Sequence, residues 1–201
     1  QPIELVVVDA ACRQLQLPAQ LSEAVSVRVC TPESALKRSA AANFGLQHAQ
    51  GQYCLFLDDD DWLHPSHIAR LVQALIEHPA AVLAYAGVEC VQGEPPQCTQ
   101  VFDAPYSHAR LLSENYIPIH AALFNRSVWA QGCRFDESFD LHEDWDFWLQ
   151  LAQLGEFVHC PGISASYRMS AEGSGIWAEQ QRVQASTQHL LEKWWRSWSA
   201  K

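Results

Sequence analysis

Two apolar runs that stop at aspartate constrain this chain more than any other feature. The opening IELVVVDA reaches Asp9, and YCLFL at residues 53–57 runs directly into Asp58, Asp59, Asp60 and Asp61. Continuous hydrophobic stretches of this length read as strands covered on both faces, with polar ends emerging at the carboxyl edge of a sheet. Between them residues 26–30 (SVRVC) alternate as a second short strand. Thr31-Pro32-Glu33 then offers an N-cap, a proline for the first helical position and an early acid, and Leu36, Ala40 and Phe44 continue at helical spacing toward Gly51. Pro65 opens a further helix, whose stripe of Ile68, Leu71, Val72, Leu75 and Ile76 stops at Pro79. Strands alternating with helices predict an α/β domain with a mostly parallel central sheet flanked by helices, its ligands at the strand ends where the acids lie.

The second half continues the pattern. Residues 81–91 read as a strand, 93–97 as a turn, 99–102 as a hairpin partner, 107–113 as a short helix and 121–124 as a strand. Asp140 and Glu143 have the spacing of a capping box, and Trp145, Trp148, Leu149 and Ala152 then line one helix face up to Gly155. FVHC and ISASY come next as two short strands. Residues 176–198 return to helical spacing, with Leu190, Leu191, Trp194, Trp195 and Trp198 along one side. With 48% hydrophobic and 18% charged residues, the 201-residue chain reads as one domain whose core needs no metal or disulfide. Its net charge of −10 disfavours a nucleic-acid partner. No apolar run approaches the roughly 18 residues of a membrane span, which gives an expectation of a cytoplasmic protein, with a peripheral membrane position as the other option. Seven scattered cysteines without a CxxC pair indicate neither a disulfide framework nor a zinc site. The chain opens at Gln1 and its only methionine is Met169, so a preceding segment is expected.

Four consecutive carboxylates repel one another by about 1–4 kcal/mol per close pair at surface-like dielectric, and a hard divalent cation would relieve this. A solvated turn is the plain alternative. An EF-hand does not fit, because the twelfth loop position is Ala69 rather than Glu. An aspartyl-phosphate phosphatase fits poorly, with Trp62 where Thr or Val is wanted two positions after the second Asp of a motif that should begin the domain.

The stretch AAANFGLQHAQGQYCLFLDDDDWLHPSHI resembles the asparagine-x-glycine helix, buried strand and aspartate metal motif of family 2 glycosyltransferases. RFDESFDLHEDWDFWLQLA is similar to the same family's catalytic-base segment, and FVHCPGISASYR to its closing strands. With NYIPIHAALFNRS between them, the likeness covers most of residues 5–168. It implies the GT-A nucleotide-diphospho-sugar transferase fold and inverting transfer of a sugar, a UDP-sugar first among donors, to an acceptor hydroxyl in surface polysaccharide or glycan synthesis. Asp144 would be the base, Asp60 would bind Mn²⁺ or Mg²⁺, Asp58 and Asp59 would complete the metal shell or hold ribose, and Asp9 would accept a nucleobase N–H. Asp61 would cap the helix downstream of the acidic run. Residues 1–91 would form the nucleotide and metal half, 92–170 the acceptor and base half, and 171–201 a C-terminal amphipathic helix. Glu143 and Asp146 read first as a cap and a solvated acid, Trp145 and Trp148 as core, Asn43 as a structural amide, and His120 and His142 as structural.

Three departures accompany the likeness. The family's first strand has no counterpart before Gln1. The arginine that commonly precedes Asn-x-Gly is Ala42, with Lys37 and Arg38 one turn upstream and able to approach a phosphate. Ser170 stands where the family often has histidine. The competing class is a degenerate domain acting as a non-catalytic binding module. A glycan or lipid-linked acceptor would meet loops 92–120 and 169–180. The C-terminal helix is expected to bury Trp194 and Trp195 in the domain or in a homo-oligomeric or neighbouring-domain contact, leaving Trp198 the most exposed.

Overall fold

The computed structural model describes residues 2–16, 25–169 and 180–199, with side chains to Trp195. Strands β1 (Ile3–Val8) and β2 (Val25–Cys30) pair in parallel as a sheet of their own. Helix α1 (Arg38–His48) packs on β1, closely enough at Gly45 that a Cβ there would lie 3.2 Å from Val8 Cγ2. This helix does not begin at Thr31 as the sequence suggests. The Leu36 amide donates to Ala10 O (2.9 Å) and Cys12 Sγ to Pro32 O (3.4 Å), so residues 31–37 are drawn out along the loop after β1. Tertiary hydrogen bonds override the local cap signal.

The rest of the described chain comprises β3 (Tyr53–Leu55), β4 (Trp62–Leu63), α2 (His67–Glu77), β5 (Ala81–Gln92), β6 (Gln97–Phe102), α3 (His108–Leu111), a 3-10 turn (Ile119–Ala121), β7 (Ala122–Asn125), α4 (Ser127–Ala130), α5 (Glu143–Leu151), β8 (Glu156–Arg168) and α6 (Gln180–Ser199). Six strands form the larger sheet, five of them in the order β3-β7-β5-β8-β4. β6 continues the β7 edge of β5, pairing with Val88–Gln92 where β7 pairs with Leu83–Tyr85. The sheet is mixed where the alternation of strands and helices led to an expectation of mostly parallel pairing. Within it only β5 and β8 run parallel, because β6 returns by a hairpin and β7 enters after an excursion through α3. FVHC and ISASY are one long strand, kept continuous across Pro161 by Gly162 at φ 99, whose N–H donates to Asp103.

β5 shows why both faces of this sheet are covered. Leu83 and Tyr85 face the larger core with Phe124, Phe147 and Trp148, while Ala84 and Ala86 face Leu71, Ala74 and Leu75 of α2. The period of two sorts large side chains toward α5 and small ones toward α2. Phe135 stacks on Phe147 at 4.4 Å and meets Phe56 edge-on at 5.0 Å, locking the segment before α5 into the same core.

Helix α6 covers that core from outside. Leu190 and Trp194 are buried, as expected for Trp194, whereas Trp195 is 67% exposed in the single chain. Adjacent helical residues point about 100° apart, so one of the two must leave the buried face. The Trp198 side chain, the start of the expected helix at 176, and Ser170 lie outside the described residues.

Candidate active site

Arg38, the first residue of α1, joins two segments more than 80 residues apart in sequence. Its Nη2 lies 2.6 Å from Asp58 Oδ2, in the loop after β3, and its Nε lies 2.5 Å from Glu143 Oε1, at the start of α5. The acidic loop and the HEDWD segment therefore face one crevice, with a guanidinium between them.

The four loop acids differ in environment. Asp59 and Asp60 are exposed, and Asp58 is half-buried against Arg38. Desolvation in the loop, then the fields of Asp61, Asp58 and Asp59, hold the Asp60 carboxyl above its ordinary range. Asp61 turns inward and is not a helix cap. Its Oδ1 accepts the Arg168 N–H at 2.8 Å and its Oδ2 lies 3.1 Å from Nδ1 of the buried His120. The last acid thus anchors the loop to β8 and to the 3-10 turn, leaving Asp58 against Arg38 and Asp59 and Asp60 exposed. Below this pair, buried His67 shares a hydrogen bond with Ser164 Oγ (2.8 Å). Burial, then the neighbouring His120, push its imidazole down to about 4.

Asp144 lies in the first turn of α5, half-buried. The Asn115 amide nitrogen is 3.1 Å from each carboxylate oxygen, and the Trp145 N–H donates to Oδ1 at 2.7 Å. Burial raises the Asp144 carboxyl above its ordinary range, against the Asn115 and Trp145 hydrogen bonds and the field of Arg38. Burial also raises Glu143, next to Asp144, with Arg38 pulling the other way. A carboxylate desolvated in this way is a stronger proton acceptor than one in water.

Residues 1–131 match the family model described as glycosyl transferase family 2. The chain belongs to that family. Within it, the chain is 26% identical over 180 residues to the uncharacterized glycosyltransferase YwdF of Bacillus subtilis, covering 86% of this chain and 65% of that protein. A chondroitin synthase of Pasteurella multocida is 23% identical over 138 residues, which is 69% of this chain and 14% of the synthase. Among solved structures, S. aureus TarS 1-349 in complex with UDP-GlcNAc superposes with a TM-score of 0.64 at 10% identity, covering 94% of this chain and 65% of TarS 1-349. That likeness establishes the GT-A-like fold. The chain spans less than two thirds of each of these proteins.

Against this family background the other singled-out residues take distinct places. Asp9 is buried at the end of β1, and its carboxylate accepts the N–H groups of Arg13 (2.9 Å), Gln14 (2.7 Å) and Leu15 (3.3 Å). These bonds, the Arg13 amide first, lower its pKa and shape a loop in which Cys12 and Gln14 have positive φ. Asn43 is structural, clamping the Phe135 backbone at both its N–H (2.9 Å) and its C=O (2.8 Å). Trp145 and Trp148 are core, donating to Leu111 O and Ile117 O. The capping box does not form, because Asp140 pairs with Lys37 and Glu143 with Arg38, while His142 precedes the helix in the left-handed region. Asp146 is not solvated. Fully buried, it receives Trp194 Nε1 (2.8 Å), Lys193 Nζ (2.8 Å) and Gln150 Nε2 (2.8 Å). Sequence reasoning leaves Arg38 as an approach to phosphate, takes His120 as merely structural and passes over Asn115. A basic residue opening a helix that faces an acidic loop is the signal that points to Arg38.

Among the described residues no three His, Cys, Asp or Glu side chains converge closely enough to hold a metal. The donor set still fits one. Asp58, Asp59 and Asp60 are hard oxygen ligands crowded at one strand end, and a Mg²⁺-like ion takes only one or two carboxylates when phosphates and water supply the rest. No helix among the described residues is long and apolar enough to cross a membrane.

Proposed function

We propose that this family 2 member is an inverting, cation-dependent glycosyltransferase that moves a sugar from a nucleoside diphosphate, a UDP-sugar first, to an acceptor hydroxyl in polysaccharide or glycan synthesis. The observation that carries this reading is the Arg38 bridge, which sets the acidic loop against the segment bearing Asp144. UDP-GlcNAc bound to the structural neighbour, and the chondroitin synthase among the relatives, support the donor class and the product class.

Asp144 takes the proton from the acceptor hydroxyl as its oxygen attacks the anomeric carbon. The bond from that carbon to the diphosphate oxygen breaks on the opposite face, and the electron pair leaves with the nucleoside diphosphate. Asp60, with Asp58 or Asp59, would hold a divalent ion, which supplies charge to stabilise the departing diphosphate. Arg38 can then transfer a donor hydrogen bond from Asp58 to a phosphate oxygen. Asp9 serves the nucleobase side, by a free lone pair or through the loop it orders.

Asp144→Asn tests the mechanism. Transfer from UDP-sugars to water or oligosaccharide acceptors should fall about 10²–10⁴-fold, with melting and UDP affinity nearly unchanged. Near-normal turnover in this variant would refute the base assignment. Unchanged UDP binding without turnover in any wild-type assay would favour the binding module.

A further inference from the structure

We infer that Asn115 is a positioning residue for Asp144: its amide grips both carboxylate oxygens and fixes the plane of the carboxylate, while the Trp145 N–H occupies Oδ1 and leaves Oδ2 to face the reaction. The inference rests on the reading of Asp144 as the base. Its ground is the frame around the contact. Trp145 and Trp148, on the same helix as Asp144, donate their indole N–H groups to Leu111 O (2.7 Å) and Ile117 O (3.0 Å), bracketing Asn115 on either side. Tyr116 is buried beside it, its hydroxyl accepting the Ser107 N–H at 2.9 Å. The loop and the helix are therefore fixed to one another on both sides of Asn115, and the Asn115–Asp144 contact inherits that rigidity.

The amide can be oriented only one way. With Nδ2 toward Asp144 it donates to both oxygens; reversed, its carbonyl would face a carboxylate. The orientation leaves Asn115 Oδ1 buried without a hydrogen-bond partner. Buried orphan acceptors are uncommon and tend to persist where the same side chain serves another group. Here that group is Asp144. Its Oδ1 holds both the Trp145 N–H and Asn115, whereas Oδ2 holds Asn115 alone, so Oδ2 is the oxygen with lone pairs left for an incoming proton.

A donor aimed at the ionised form favours that form, so Asn115 opposes the burial that drives Asp144 toward protonation. The charged groups facing Asp144 from its surroundings are Glu143 on its own helix and Arg38 from α1. Glu114, next to Asn115, is already held by Arg110 at 2.8 and 2.9 Å. Arg38 is shared with Asp58 and Glu143, which leaves Asn115 as the side-chain donor dedicated to Asp144.

The test is a carbon-13 carboxyl NMR titration of the free protein, with the Asp144 signal assigned by its loss in Asp144→Asn. In Asn115→Ala and the volume-matched Asn115→Leu the Asp144 midpoint should move up by about one pH unit, while carboxyl signals other than that of its neighbour Glu143 stay in place. An unmoved midpoint in either folded variant overturns the inference, whatever happens to turnover. Because the readout needs no substrate, its failure is separate from failure of the base assignment, which Asp144→Asn turnover decides.

Discussion

The Asp61–His120 and His67–Ser164 pairs show what single buried polar residues do beneath this crevice. A carboxylate taken from water is costly unless it is hydrogen-bonded, and Asp61 accepts the Arg168 amide on one oxygen while the other faces His120 Nδ1 at 3.1 Å. The fourth letter of an acidic run is thereby committed to anchoring the loop. His67 has a pH consequence of its own. Its pKa of about 4 in the folded protein lies below the ordinary 6.5, so between those values the unfolded chain binds more protons. Stability from this group is therefore complete above pH 6.5 and lost as pH falls toward 4, by about 3 kcal/mol. Urea melts at pH 7 and pH 4.5 should show that loss, and His67→Gln should shrink it while lowering stability at both values. An identical pH difference in the variant would show that His67 does not carry it.

At the scale of elements, period and apolar content located most of the structure, and tertiary hydrogen bonds decided the exceptions. β5 was legible because its alternation is long, and α2 because its stripe ends at proline. The start of α1 was not, since the Leu36 amide and the Pro32 carbonyl are committed to the loop after β1. β8 looked like two strands because Pro161-Gly162 imitates a turn. Asp146 looked solvated because its partners, Lys193 and Trp194, lie nearly fifty residues away, where no local pattern reaches. That buried carboxylate is the socket of α6. His142 adds a second tie through Thr187 Oγ1 at 3.0 Å, and Ser186 a third through Leu141 O. Asp146→Ala should destabilise the protein by about 2–4 kcal/mol, because it leaves the Trp194 N–H buried without its carboxylate. Hydrogen exchange should then show residues 180–195 losing protection while β5 and β8 keep theirs. Full protection of α6 in Asp146→Ala would mean that apolar contact through Leu190 and Trp194 suffices to dock it.

At the scale of the molecule, the proposed function asks an acidic protein to admit an acidic donor. The chain carries a net charge of −10, and Asp58 and Glu143 meet on the guanidinium of Arg38, with Asp59 and Asp60 following in the same loop and Asp144 in the same helix turn. The likeness to the family was legible in the sequence because the aspartate run and the HEDWD segment are local motifs. Their meeting was not, because Arg38 owes its role to the sheet that brings residues 58 and 143 together. A nucleoside diphosphate entering this crevice meets like charge unless a cation comes with it, and the carboxylates, which do not form a closed cage, hold a cation weakly unless phosphates complete its shell. Each partner is thus expected to bind through the other. Titrated by calorimetry or electron paramagnetic resonance, Mn²⁺ should bind weakly to the protein alone and at least about tenfold more tightly when UDP is present. Asp60→Ala should remove that coupling while leaving the fold intact, since Asp60 is exposed and the loop is anchored through Asp61. If Asp60→Ala kept the full UDP-linked Mn²⁺ affinity, Asp60 would not be a metal ligand, and the cation would have to lie on the Asp58 side of the loop, in competition with Arg38.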